Sequence, residues 1–245
     1  MSKYVMLQYG LGMALMVIFA YVNANYPEHT GLFFTLYFVV FMGILLLLTG
    51  RQARGILRDI EQVSKGEVIY EAPSTEVAKL REKDFENTRP ELAAQAKYAM
   101  LPFLAILLFL VMYSLPWVRD SFLSLGRSFT DDAKLANFLS FLTFYGVFYI
   151  FSVATGIAAR KFQGKTGTLQ IASKYKVTTR GLLVDERLPI VFPAKGRITV
   201  NTRRRFVELE LEQQVMGTRV KQRVRLYNPE PSKLAALLKP YVQER

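Results

Sequence analysis

The sequence predicts an α-helical membrane bundle of four spans, with a cytoplasmic helical hairpin between spans two and three, joined to a small cytoplasmic β-barrel domain that ends in a helix. Three observations carry this expectation. Hydrophobic residues fill 51% of the 245 positions, high for a chain that folds wholly in water. They gather in four stretches, bounded by Lys3 and Glu28, Glu28 and Arg51, Lys97 and Arg119, and Lys134 and Arg160; these hold 24, 22, 21 and 25 uncharged positions, where a spanning helix needs roughly 20. Beyond residue 162 the apolar period changes from helical to alternating, the pattern of half-buried strands.

The first stretch is longer than the apolar core of a signal peptide, and Tyr21-Val22-Asn23-Ala24 makes a poor cleavage site, so it is expected as a span. Only residues 25–30 separate it from the second, residues 31–50, which predicts a tight hairpin. In residues 51–97, Ile56, Leu57, Ile60 and Val63 mark one helical face and Val77, Leu80, Phe85 and Leu92 another, with breaks at residues 64–67 and near Pro90. Nine basic and nine acidic residues there balance, as on a solvated amphipathic hairpin. The third span starts near Pro102 and ends near Pro116. The fourth runs to Arg160-Lys161, and Tyr4, Tyr9, Tyr26 and Trp117 fall near span ends, where amphipathic rings prefer to sit. The expected domains are thus residues 1–162, with the hairpin 51–97, and residues 163–245.

In the tail, Tyr175, Val177 and Thr179 alternate with polar neighbours. The runs 182–184, 190–192, 198–200, 206–211 and 220–226 follow, and Leu234, Leu237 and Leu238 share one face of a final helix. Tyr175-Lys176-Val177-Thr178-Thr179-Arg180-Gly181-Leu182 and Asn228-Pro229-Glu230-Pro231-Ser232-Lys233-Leu234 resemble the opening and closing segments of prokaryotic pleckstrin-homology-like domains. The resemblance implies a barrel closed by a helix.

Residues 1–159 carry 13 basic and 13 acidic side chains, so the net charge of +12 lies in residues 160–245, with 19 against 7. Basic residues collect on the cytoplasmic side of spans, so the tail, both termini and residues 51–97 are expected there, in a multi-pass protein of the cell membrane. Arg203, Arg204, Arg205, Lys221, Arg223 and Arg225 form a basic cluster with three readings: contact with anionic lipid headgroups, contact with RNA phosphates of a ribosome, or a solvated strand face paired to Glu208, Glu210 and Glu212.

Other chemistry is poorly supplied. With no Cys and a single His, His29, the chain lacks material for thiolate metal sites or a His-based catalytic dyad, so no metal, cofactor or enzyme activity is expected. Gly164-Lys165-Thr166 lacks the glycine a phosphate-binding loop needs five residues earlier, where Ala159 stands. No Asp, Glu, Lys or Arg lies within the four stretches, which argues against an ion pump or proton-coupled transporter.

The order of span, charged hairpin and two further spans, together with residues 97–103 (KYAMLPF) and 145–152 (YGVFYIFS) leading to Arg160-Lys161, is similar to the archaeal branch of the YidC/Oxa superfamily of membrane insertases over about residues 32–162. That resemblance implies insertion of client proteins through a polar groove, for which Gln8, Ser152 and Thr155 are the candidate residues, and partners among nascent membrane proteins, translocon subunits and the ribosome. Two further functions fit the residues: a lipid-sensing or assembly scaffold acting through the basic tail, and a transporter of a small uncharged solute.

Overall fold

The computed structural model describes residues 3–215 and 218–243. The chain begins with α1 (Lys3–Asn25), a short turn (Pro27–His29) and α2 (Thr30–Ser64), then β1 (Val68–Ala72), α3 (Ser74–Lys83), α4 (Phe85–Ser114), α5 (Pro116–Phe129) and α6 (Ala133–Thr166). The tail follows as β2 (Thr168–Ile171), β3 (Tyr175–Thr178), β4 (Gly181–Val184), β5 (Leu188–Val191), β6 (Ala194–Asn201), β7 (Phe206–Val215), β8 (Thr218–Tyr227), α7 (Pro231–Leu238) and β9 (Val242–Gln243). Contacts divide it into two units. One takes residues up to Leu45 with Lys97–Lys161; the other takes Leu46–Ala96, Phe162–Val215 and the chain from Arg219 onward.

The helices correct the expected four-span bundle. Among the described residues one helix, Ala133–Phe162 within α6, is long and apolar enough to cross a membrane, and a second candidate arises only if α4 is followed across a 46° bend between Phe85–Leu101 and Ile106–Met112. α1 carries the first stretch as a continuous helix from Lys3 to Asn25. The uncharged run 31–50 is only the first part of α2, which continues to Ser64 through Arg51, Arg54, Arg58, Asp59 and Glu61. The third stretch is interrupted twice: Pro102, which has no N–H for the helix ladder, stands at the bend, and the chain breaks at Leu115 between α4 and α5. The segment expected as an outer loop is largely α5.

In the helical unit an aromatic cluster joins α4, α5 and α6: Phe144 meets Phe122 and Phe148 edge-on at 5.1 Å, and Phe109 meets Phe148 at 5.0 Å, around the buried Val118. A Cβ at Gly126 would collide with Ser140 and Ala136, so α5 and α6 are in contact there.

The tail departs from a self-contained barrel, and residues 51–97 depart from a separate hairpin. One sheet runs β1-β3-β4-β5 and the other β2-β8-β7-β6-β9. β1 comes from the interhelical segment and pairs antiparallel with β3, Tyr70 opposite Val177 and Ala72 opposite Tyr175. The second sheet holds two parallel pairs, β2 with β8 and β6 with β9. A single apolar core draws Ala72, Val77 and Leu80 from the segment before α4, Val177, Leu182, Leu209 and Leu226 from the sheets, and Leu234 and Leu238 from α7. Val63, at the end of α2, is also fully buried. It presses on Gly181, where an added Cβ would lie 2.5 Å from both Val63 Cγ2 and the Ile190 carbonyl oxygen. Gly181→Ala should therefore cost about 1–3 kcal/mol through overpacking, measured as a lowered thermal or denaturant midpoint of the full-length protein.

Candidate functional site: an ion network and the cavity beside it

α4 begins under control of Asp84, whose carbonyl accepts the N–H groups of Asn87 and Thr88. Positions 84, 88 and 91 lie one helical turn apart and share a face. On β8, positions 223, 225 and 227 alternate onto one face of the sheet. These two rows meet. Arg225, 1% exposed, donates from Nη2 to Glu91 Oε2 at 2.7 Å and to Glu208 Oε2 at 2.8 Å. Arg223 Nε reaches Glu208 Oε1 at 2.6 Å. Arg204, from the turn between β6 and β7, donates to Asp84 Oδ1 at 2.7 Å and to Glu91 Oε1 at 3.0 Å. Tyr227 and Thr88 hydroxyls donate to Asp84 Oδ2 at 2.6 Å and 3.0 Å. Beneath the guanidinium groups the Phe206 ring lies 4.3 Å from Arg225 Cζ and 5.1 Å from Arg204 Cζ.

Three arginines thus face three carboxylates in a closed, neutral set. Burial pushes the Asp84 carboxyl up, but hydrogen bonds from Arg204, Tyr227, Thr88 and Asn87 more than offset it and hold it below the usual range. Burial acts on Glu91 in the same direction and is outweighed by Arg225 and Arg204. Carboxylates held low contribute stability that is complete above the unfolded-state values, near pH 4, and lost as pH falls through the lower folded values. The sheet unit should keep its melting temperature from pH 7 to about 5 and lose it progressively below about 4. Asp84→Asn should lower the neutral-pH midpoint and shrink the acid-induced loss in a pH-resolved melting series.

The six basic residues of the sequence-level cluster therefore separate. Arg204, Arg223 and Arg225 are joined in the network, whereas Arg203, Arg205 and Lys221 are exposed. Arg203, Arg204 and Arg205, with Asn201, line a half-open cavity of about 540 Å³, bounded on the other side by Leu80, Lys83, Asp84 and Asn87. The carboxylates Asp84 and Glu91 and the hydroxyl of Thr88 went unremarked in the sequence, although their i, i+4, i+7 spacing was there to be read.

The proposed groove residues are placed less suggestively. Ser152 is exposed on α6, and the Thr155 hydroxyl turns back onto the Phe151 and Ser152 carbonyls of its own helix, both at 3.0 Å. Gln8 lies in α1, its side chain outside the described residues. Other polar side chains link α1 to α6: Tyr149 hydroxyl donates to the Tyr9 carbonyl at 2.5 Å, and Asn23 Nδ2 donates to the Tyr145 hydroxyl at 2.6 Å. Among the described residues no group of His, Asp and Glu side chains is arranged to hold a metal ion.

A helical unit with a membrane-length helix, carried on one chain with a basic two-sheet unit, points to the class of membrane proteins. The chain belongs to the family described as predicted membrane protein (DUF2208), whose model matches residues 8–241 and so spans both units as one family. No curated protein and no solved structure matches the chain. The resemblances to membrane insertases and to pleckstrin-homology-like domains gain no support from these comparisons.

Proposed function

We infer that the protein is a non-enzymatic membrane scaffold whose sheet unit works at the cytoplasmic membrane surface by binding anionic lipid headgroups. The neutrality of the buried network is the observation that carries this reading. With Asp84, Glu91 and Glu208 matched by Arg204, Arg223 and Arg225, the excess charge of the tail falls on exposed side chains such as Arg203, Arg205, Lys195, Arg197 and Lys221. Each such residue near an anionic surface contributes about 1 kcal/mol of attraction. Insertion and solute transport find no comparable observation.

Topology supports the same placement. Leu46–Ala96 and the tail belong to one folded unit, so both must lie on one side, and the chain between them crosses an even number of times. If α6 is one crossing, the bent apolar part of α4 is the natural return. Asp131 and Asp132 precede α6, while Arg160 and Lys161 stand near its end, which favours the sheet unit inside. A cysteine at Ser124 should label from outside intact cells and one at Ser64 should not; the reverse would overturn this orientation. For the function, native mass spectrometry of the full-length protein in mild detergent should show phosphatidylglycerol retained over phosphatidylcholine. Equal retention, or co-sedimentation with ribosomes in place of lipid, would refute it.

A further inference from the structure

We propose that the cavity between the α3–α4 junction and the β6–β7 turn is a binding site for a phosphate monoester on a small polar group. The proposal deepens the headgroup-binding reading and rests on its premise that the exposed cations of this unit take anions. Four cations, Lys83, Arg203, Arg204 and Arg205, line the cavity against one carboxylate, Asp84. That carboxylate is already saturated by Arg204, Tyr227, Thr88 and Asn87, which leaves no anionic ligand for a metal ion. Lys83, Arg203 and Arg205 have no carboxylate partner among the described residues. One carboxylate ligand would balance one of the three; a phosphate monoester brings a charge of about −1.5 to −2 and three acceptor oxygens, which suits forked arginine donors.

The cavity is built, not incidental. Asn201 Oδ1 accepts the Arg204 N–H at 2.9 Å, Arg204 is tied down by Asp84, and the Arg205 carbonyl accepts the Asn228 N–H at 3.0 Å. These bonds hold Arg205 at φ +55°, a left-handed conformation that costs an arginine energy and that a glycine or asparagine would adopt more readily. At about 540 Å³ the space falls in the usual range of small-molecule sites, about 300–1,000 Å³, and so has room for more than a bare phosphate. Among the described residues Leu80 is the one apolar side chain lining it, so the esterified group is polar, such as a glycerol, a polyol or a sugar.

The headgroup of a phosphatidic acid and a soluble sugar or glycerol phosphate share this chemistry. Full-length protein in mild detergent should bind glycerol 3-phosphate saturably, one per chain, by calorimetry, and should retain phosphatidic acid over phosphatidylserine by native mass spectrometry. Phosphatidic acid alone would assign the site to lipid; glycerol 3-phosphate competing with it would assign it to the headgroup or a free ester. Arg203→Gln with Arg205→Asn, the second suited to the left-handed position, should weaken binding about a hundredfold, roughly tenfold per lost charge-assisted contact, while melting like the wild type. Lys239→Gln, exposed and outside the cavity, should leave glycerol 3-phosphate affinity unchanged. Equal weakening by both variants, or no saturable binding of either phosphate ester, would overturn the site; anionic lipid still retained in that case would leave the scaffold reading standing. Loss of all anionic lipid retention with glycerol 3-phosphate still bound would do the opposite.

Discussion

Residues 163–245 produced alone are expected to give no cooperative melt, although their strand pattern and closing helix suggest an autonomous domain. The structure takes the rest of the unit from the chain before α4. Without it, β3 loses its partner β1 and becomes an open edge. The core loses Val63, Val77 and Leu80, which are 0%, 1% and 9% exposed. At about 1.5–3 kcal/mol for each buried side chain, that is about 5–9 kcal/mol, set against a total stability of about 5–15 kcal/mol for a domain. Arg225 and Arg204 would also lose Glu91 and Asp84. Adding residues 46–96 as a second chain should restore a β-rich, cooperatively melting complex. A tail that melted cooperatively by itself would contradict this account.

What could be read from the sequence was local. Alternation and short apolar runs placed β3, β4, β5, β6, β7 and β8, and the apolar face after Pro231 placed α7, because these signals lie within a few residues of each other. β1 was not read as a strand: residues 51–97 read as helices with breaks, and the meaning of Val68–Ala72 depends on a partner about a hundred positions later, a pairing no local pattern specifies. The same distance hid the site. Arg223 and Arg225 alternate as solvent-facing residues do, and only the arrival of Glu91 from α4 turns their face inward. In the helical unit the charge-free third stretch was real, but the bend at Pro102 and the break at Leu115 keep it from being one straight apolar helix.

Arg225→Ala should be the most damaging single substitution in the sheet unit, lowering stability by about 3–5 kcal/mol. Arg225 is 1% exposed and bridges Glu91 and Glu208, so truncation leaves Glu208, itself 5% exposed, with only Arg223, and leaves Glu91 with Arg204 and the more distant Arg223. The cost is mainly the desolvated charge left behind, because a buried pair gains little over apolar groups of similar shape while a buried single ion is heavily penalised. It follows that Arg225→Met combined with Glu208→Leu should be far milder than Arg225→Ala, since Arg223, a quarter exposed at its side chain, can turn to water. Arg225→Lys should fall between them, its single ammonium being unable to match the forked donors that reach both carboxylates. Denaturant melts of the four proteins should rank wild type, double variant, Lys and Ala. If the Ala variant matched the wild type, the network would be a surface ornament and the sheet unit would owe its cohesion to the apolar core alone.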